Sequence, residues 1–142
     1  MSYVFLLLSL LNYKQNFCSC VPPGPIDEQQ YNEYSLIVKG KVAKVSISNF
    51  QRTIYLTVET KYKGKDGQSI VKIATPLQEG ECGIFPKVGE KWLMFAIAEG
   101  KGYRTSLCTR TKNMNPKAWN YRKDEIVDDI KFLEAKLMTN SR

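Results

Sequence analysis

The sequence predicts a mainly β domain: a five-stranded Greek-key barrel of the OB type with a short N-terminal helix and an amphipathic C-terminal helix. Three observations carry this. Between Leu36 and Cys108, apolar residues alternate in short runs separated by polar, glycine- and proline-bearing turns. The first run changes phase part-way, as a strand that serves both halves of a small barrel must. After Asp124 the apolar period lengthens to that of a helix. A sandwich, the architectural alternative, usually has more strands at regular spacing.

Each element follows from its residues. In Pro25-Ile26-Asp27-Glu28-Gln29-Gln30-Tyr31-Asn32-Glu33-Tyr34, acids follow a proline. That pattern suits one or two helical turns, because a starting proline costs no hydrogen bond and acids favour the first turn. Leu36 to Ile47 is β-branched and long. Leu36, Val38, Gly40 and Val42 share one face before the phase shifts to Val45 and Ile47, and a slip beside a glycine predicts a bulge or sharp coil. Ser48 to Arg52 is a polar turn. Thr53 to Lys63 alternates next, with Ile54, Leu56, Val58, Thr60 and Tyr62 expected inward and Tyr55, Thr57, Glu59, Lys61 and Lys63 outward. Lys61, Lys63 and Lys65 read as a solvated face.

Gly64 to Gly67 turns the chain into a third strand, Ile70 to Ala74, and Thr75 to Glu90 is a longer loop. Lys91 to Ala98 is apolar on both faces and predicts a buried strand holding Trp92. Glu99 to Gly102 is a turn, and Tyr103 to Cys108 is the expected fifth strand. Thr109 to Arg122 reads as a basic linker whose Trp119 and Tyr121 cover the barrel. Ile126, Ile130, Leu133 and Leu137 then fall at helical spacing, widened by Val127 and Ala135, with Asp124 and Glu125 in the first turn. This stripe is expected to pack on the domain's own core.

Composition narrows the function. The 142 residues suffice for one core, carry a formal charge of +7, and include no histidine. Without histidine there is no Ser-His or Cys-His nucleophile and the commonest metal ligand is missing. No carboxylate pair stands at a suggestive spacing, so neither an enzyme nor a cofactor is expected. The positive charge favours acidic partners, but specific nucleic-acid binding is not expected. Val4 to Leu11 is too short to span a bilayer and reads as the apolar part of a secretory signal over residues 1–17. The expected organisation is therefore a signal, a barrel domain over 18–112, and a linker with its helix over 113–142. An even cysteine count agrees with an oxidising compartment, extracellular or periplasmic, and a secreted monomer is expected.

The cysteines are the sharpest signal. Cys18-Ser19-Cys20-Val21-Pro22-Pro23-Gly24-Pro25 joins a Cys-x-Cys to a proline-stiffened segment, and the other two cysteines, Cys82 and Cys108, stand far away. Cys18 and Cys20 are read as facing opposite sides of an extended chain, so that each needs a distant partner. If all four are oxidised, a floppy terminus becomes a rigid edge. The rival is a structural zinc site, but such sites use paired Cys-x-x-Cys hairpins, and no metal site of the chain's own is expected.

With these residues in this order, the chain resembles the netrin-like (NTR) family, and within it the inhibitory domain of the tissue inhibitors of metalloproteinases (TIMPs). The likeness covers Cys18 to about Lys112. It rests on the Cys-Ser-Cys-Val-Pro-Pro-x-Pro run, on Leu36-Ile37-Val38-x-Gly40 and on Lys61-Tyr62-Lys63-Gly64, together with Glu81-Cys82-Gly83-x-Phe85 and Ser106-Leu107-Cys108. It implies an OB barrel with disulfides Cys18–Cys82 and Cys20–Cys108, each stabilising by roughly 4 kcal/mol through loop closure. It also implies inhibition of a zinc metalloprotease. The α-amine and carbonyl of Cys18, as mature N-terminus, would chelate the protease zinc, and Ser19 would enter the specificity pocket. Cys20, Val21 and Pro22 would line the cleft, with Gly80, Glu81 and Cys82 as the neighbouring ridge. The alternative is a secreted interaction module that binds an acidic protein, a glycan or single-stranded nucleic acid through the basic face, where Tyr55 lies beside Lys61 and Lys63.

Overall fold

A computed structural model describes residues 17–65 and 67–142; the expected signal, apart from Phe17, lies outside the described residues. The molecule is mainly β, with a six-stranded sheet, a short helix and a C-terminal helix. The elements are α1 (Glu28–Glu33), β1 (Leu36–Ser48), β2 (Gln51–Lys63), β3 (Ile70–Pro76), β4 (Lys91–Glu99), β5 (Gly102–Arg104), β6 (Lys112–Asn113) and α2 (Lys123–Asn140). Asp27 caps α1, its side chain accepting from the Gln30 N–H at 2.8 Å.

The sheet runs β1-β2-β3-β5-β4-β6, and β1 also pairs with β4, so five strands form a ring of hydrogen-bonded pairings. All pairings are antiparallel except β3 with β5. A ring of strands requires strong coiling, and bulges supply it. The expected phase slip in β1 occurs between Val42 and Lys44, leaving Ala43 as the extra residue. At Gly40 a Cβ would run into the Thr57 carbonyl and the Leu56 side chain, so the two strands approach there only because the residue is glycine.

Two clusters of buried side chains lie on opposite faces of β4. Trp92, Met94 and Ala96 join Leu36, Val38, Val42, Ile54, Leu56, Val71, Ile73 and Ile84 in the first. Leu93 and Phe95 face Ile37, Tyr31, Tyr34, Tyr62 and Leu133 in the second, with Ile130, Phe132 and Leu137 of α2 packed against it. A strand that is apolar on both faces therefore separates the two clusters.

Five expectations need correcting. Tyr62 is buried but leaves the inward series of β2: Val38 pairs with Lys61 and Ile37 with Lys63, so Tyr62 is a bulge residue that packs with the second cluster. The fifth strand ends at Arg104 instead of running to Cys108, because the chain turns at Leu107 and Cys108, where the Leu107 N–H bonds to the Cys82 carbonyl. The supposed linker contains β6, paired with β4. Within it, Trp119 is 86% exposed and so does not cover the barrel core as expected. On α2 the stripe is narrower than expected, since Val127 and Ala135 are exposed.

Candidate functional site

The site forms where two loops converge on the N-terminal segment. Cys18 is bonded to Cys82 and Cys20 to Cys108, with Cα atoms 5.0 and 5.2 Å apart. The expectation that Cys18 and Cys20 face opposite sides is wrong. Their Sγ atoms lie 3.7 Å apart, because side chains alternate along an extended chain and residues two apart share a face. The two crosslinks therefore sit side by side, beneath one short strip of chain.

The receiving loops are held by hydrogen bonds as well as by the crosslinks. Cys82 adopts a left-handed conformation (φ 65°) at the end of a 3-10 turn over Glu79–Glu81, its N–H bonding to the Glu79 carbonyl at 2.9 Å. The following Gly83 lies so close to the Pro76 carbonyl that a Cβ would collide with it. Around Cys108, the Thr105 hydroxyl bonds to the Phe95 carbonyl and meets the hydroxyls of Thr109 and Thr111 at 2.9 and 2.7 Å. The two loops meet through the bond from Leu107 N–H to the Cys82 carbonyl, 2.8 Å.

The proline segment is fastened by Arg110. Its guanidinium donates to the Gly24 carbonyl and to Gln30 Oε1, both at 2.6 Å, and to Asp129 of α2 at 2.5 Å. Asp129 also accepts from Lys112 Nζ at 2.9 Å. Arg110 and Asp129 are almost wholly buried, with side-chain exposures of 3% and 1%. The Arg110 backbone N–H donates to the Tyr34 hydroxyl, and burial pushes that phenol above its ordinary value near 10. Gln30 in turn donates to the Pro25 carbonyl. Sequence reasoning missed Arg110 and Asp129. Arg110 sits among other basic residues and carries no signal of burial. Asp129 does carry one: it stands three residues after Ile126 and four before Leu133, on the apolar stripe itself.

Of the residues singled out in sequence, the structure brings together Cys18, Ser19, Cys20, Val21, Pro22 and Cys82, with Gly80 and Glu81 on the adjoining turn. Ser19, Val21, Pro22, Gly80 and Glu81 are exposed, and Val21 is 90% so. Among the described residues, no group hydrogen-bonds to the backbone of Ser19 or Val21. An exposed strip with free backbone groups is able to pair with an extended partner. A groove of about 860 Å³ adjoins it, walled by Cys18, Gly80, Ile84, Phe85, Leu107 and Trp119. The Glu90 carboxylate on its wall is occupied by the Lys87 N–H, Trp92 Nε1 and Asn113 Nδ2.

Neither family models nor curated protein sequences match this chain. Among the described residues, no helix is long and apolar enough to cross a membrane.

The basic face differs from expectation. Tyr55 does not lie beside Lys61 and Lys63: it pairs with Lys44 on one side and Lys72 on the other, whose ammonium groups lie 5.1 and 5.5 Å from its ring centroid. Lys63 turns instead to the Tyr31 carbonyl, 2.8 Å away, and burial pushes its pKa below the ordinary lysine value.

Proposed function

We propose that this chain is an exported protein of the netrin-like kind, with a closed OB barrel, that inhibits a zinc metalloendopeptidase through its N-terminal edge. The ring of five pairings, parallel only between β3 and β5, supports the barrel. The observation that carries the inhibitory reading is the double clamp: Cys18 and Cys20 are each crosslinked, while Ser19 and Val21 between and beyond them stay exposed.

Cleavage ahead of Cys18 frees its α-amine. An α-amine titrates near 8, so shedding a proton to bind a metal near neutral pH costs little. The amine and the Cys18 carbonyl oxygen chelate the target's zinc and displace the water that would attack substrate. Ser19 enters the specificity pocket, Cys20 to Pro22 lie along the cleft, and Gly80 to Cys82 form a second ridge. Because the clamp has already ordered the strip, binding costs little conformational entropy. The test compares chains that begin at Cys18 with chains carrying one extra alanine ahead of it. The extension is expected to abolish inhibition of a zinc metalloendopeptidase, and equal inhibition by both would refute the mechanism.

A second reading rests on Lys44, Tyr55 and Lys72, a basic-aromatic-basic row crossing three strands. It suits an acidic protein or glycan, with the cations giving steering and the ring a stacking surface. Heparin binding that survives physiological salt and is lost in Tyr55→Ala would favour it; binding abolished by salt alone would leave only diffuse charge.

A further inference from the structure

The sulfurs of the two crosslinks form one cluster. All four Sγ atoms lie within 4.8 Å of one another, and the unbonded approaches of Cys18 to Cys20 and to Cys108 are 3.7 and 4.0 Å. A tetrahedral centre with zinc–sulfur bonds of about 2.3 Å needs sulfurs about 3.8 Å apart. Those two unbonded edges already have about this length. The two bonded edges must open, across Cα separations of 5.0 and 5.2 Å.

We propose that the reduced chain is a metal-binding protein in which Cys18, Cys20, Cys82 and Cys108 together hold one Zn²⁺ as a tetrathiolate. Contacts other than the crosslinks also favour this geometry. Cys82 and Cys108 remain neighbours through the bond from Leu107 N–H to the Cys82 carbonyl and the threonine network around Thr105. The strip bearing Cys18 and Cys20 is tethered four residues on, where Arg110 holds the Gly24 carbonyl. Four thiolates select soft cations over calcium or magnesium. The resulting centre, two negative charges in all, sits in a chain of formal charge +7.

The chemistry balances. Each S–S bond takes two electrons and two protons from a dithiol reductant, which leaves as its own disulfide, so two equivalents give four thiols. Zn²⁺ then replaces the four thiol protons, which pass to the buffer as four sulfur–zinc bonds form. The same three segments are thus clasped in both redox states, covalently when oxidised and through the ion when reduced. The site stands whether or not the chain inhibits a protease.

The test uses the full chain, reduced with dithiothreitol, freed of it under anaerobic conditions, and titrated with Co²⁺ and then Zn²⁺. One Co²⁺ per chain is expected, with the intense visible absorption of tetrahedral cobalt tetrathiolate, bleached by one equivalent of Zn²⁺. Cys18→Ser, Cys82→Ser and Cys108→Ser should each lose that spectrum. Because serine variants can fail to fold, the unaltered chain is also titrated in urea, where the spectrum should vanish. No tetrathiolate spectrum from the reduced chain in buffer, whether it is folded or not, would overturn the proposal. A spectrum of equal strength in urea would overturn it too, since loose cysteines would then suffice.

Discussion

The two ends of the described chain are fastened to the same sheet by opposite means. The C-terminal helix is held by what it buries: Leu133 is fully enclosed against Phe95 and Leu93, with Ile130, Phe132 and Leu137 around it. The N-terminal strip buries almost nothing, leaving Phe17 and Val21 at 78% and 90% exposure, and is held by two crosslinks. Packing fixes a segment by using up its surface. A crosslink fixes it and leaves the surface free, which is what a binding edge requires. Arg110 belongs to both ends, reaching Gly24 with one nitrogen and Asp129 with the other.

The largest effect should come from the covalent end. Replacing Cys18 and Cys20 together by serine removes two closures of 64 and 88 residues, worth about 4 kcal/mol each. Since a domain's whole stability is about 5–15 kcal/mol, urea unfolding should find the variant marginal or unfolded. A midpoint near that of the parent would mean that packing holds the strip after all.

Asp129→Ala comes next. It leaves the guanidinium of Arg110 and the ammonium of Lys112 without their shared carboxylate, a loss of about 3–5 kcal/mol. Both disulfides should still form, as the intact mass will report. Leu133→Ala should cost about 3 kcal/mol by opening a cavity. It should leave hydrogen exchange at the Leu107 amide unchanged, and faster exchange there would show that the two ends are not separately fastened.

The smallest effects separate two buried phenols. Tyr34→Phe strands the Arg110 N–H and should cost about 1–3 kcal/mol, whereas Tyr62→Phe removes a hydroxyl that has no hydrogen-bond partner among the described residues and should be neutral or mildly stabilising. Burial raises both phenols above their ordinary value near 10. In alkali the unfolded phenols therefore ionise first, the native state binds more protons, and stability falls as pH rises above about 10. Lys63, lowered by burial, acts in the opposite sense just below 10.5. Denaturation curves across that range should show a flatter alkaline decline for each Phe variant.

The strand pattern was largely legible because burial on one face leaves a period of two. Ile54 and Leu56 show it, and the slip at Val42 and Lys44 showed in the phase of the apolar residues. The double-sided burial of β4 was legible too, since Lys91 to Ala98 offers no polar alternation. What escaped depended on distant partners. Tyr62 changes company because of a bulge set by β1, and β5 ends where Cys82 captures the Leu107 amide. β6 is two residues long and has no period to detect. At the site, the cysteines announced themselves by spacing. Arg110 did not, because a guanidinium buried by a carboxylate 19 residues away looks in sequence like any surface cation.

The most direct measurement is N-terminal sequencing with non-reduced intact mass of the protein purified from its native source. Cys18 should come first, and the mass should be four hydrogens below that of the fully reduced chain, two for each crosslink. A chain that retains residues ahead of Cys18, or that carries four free thiols, would contradict the account.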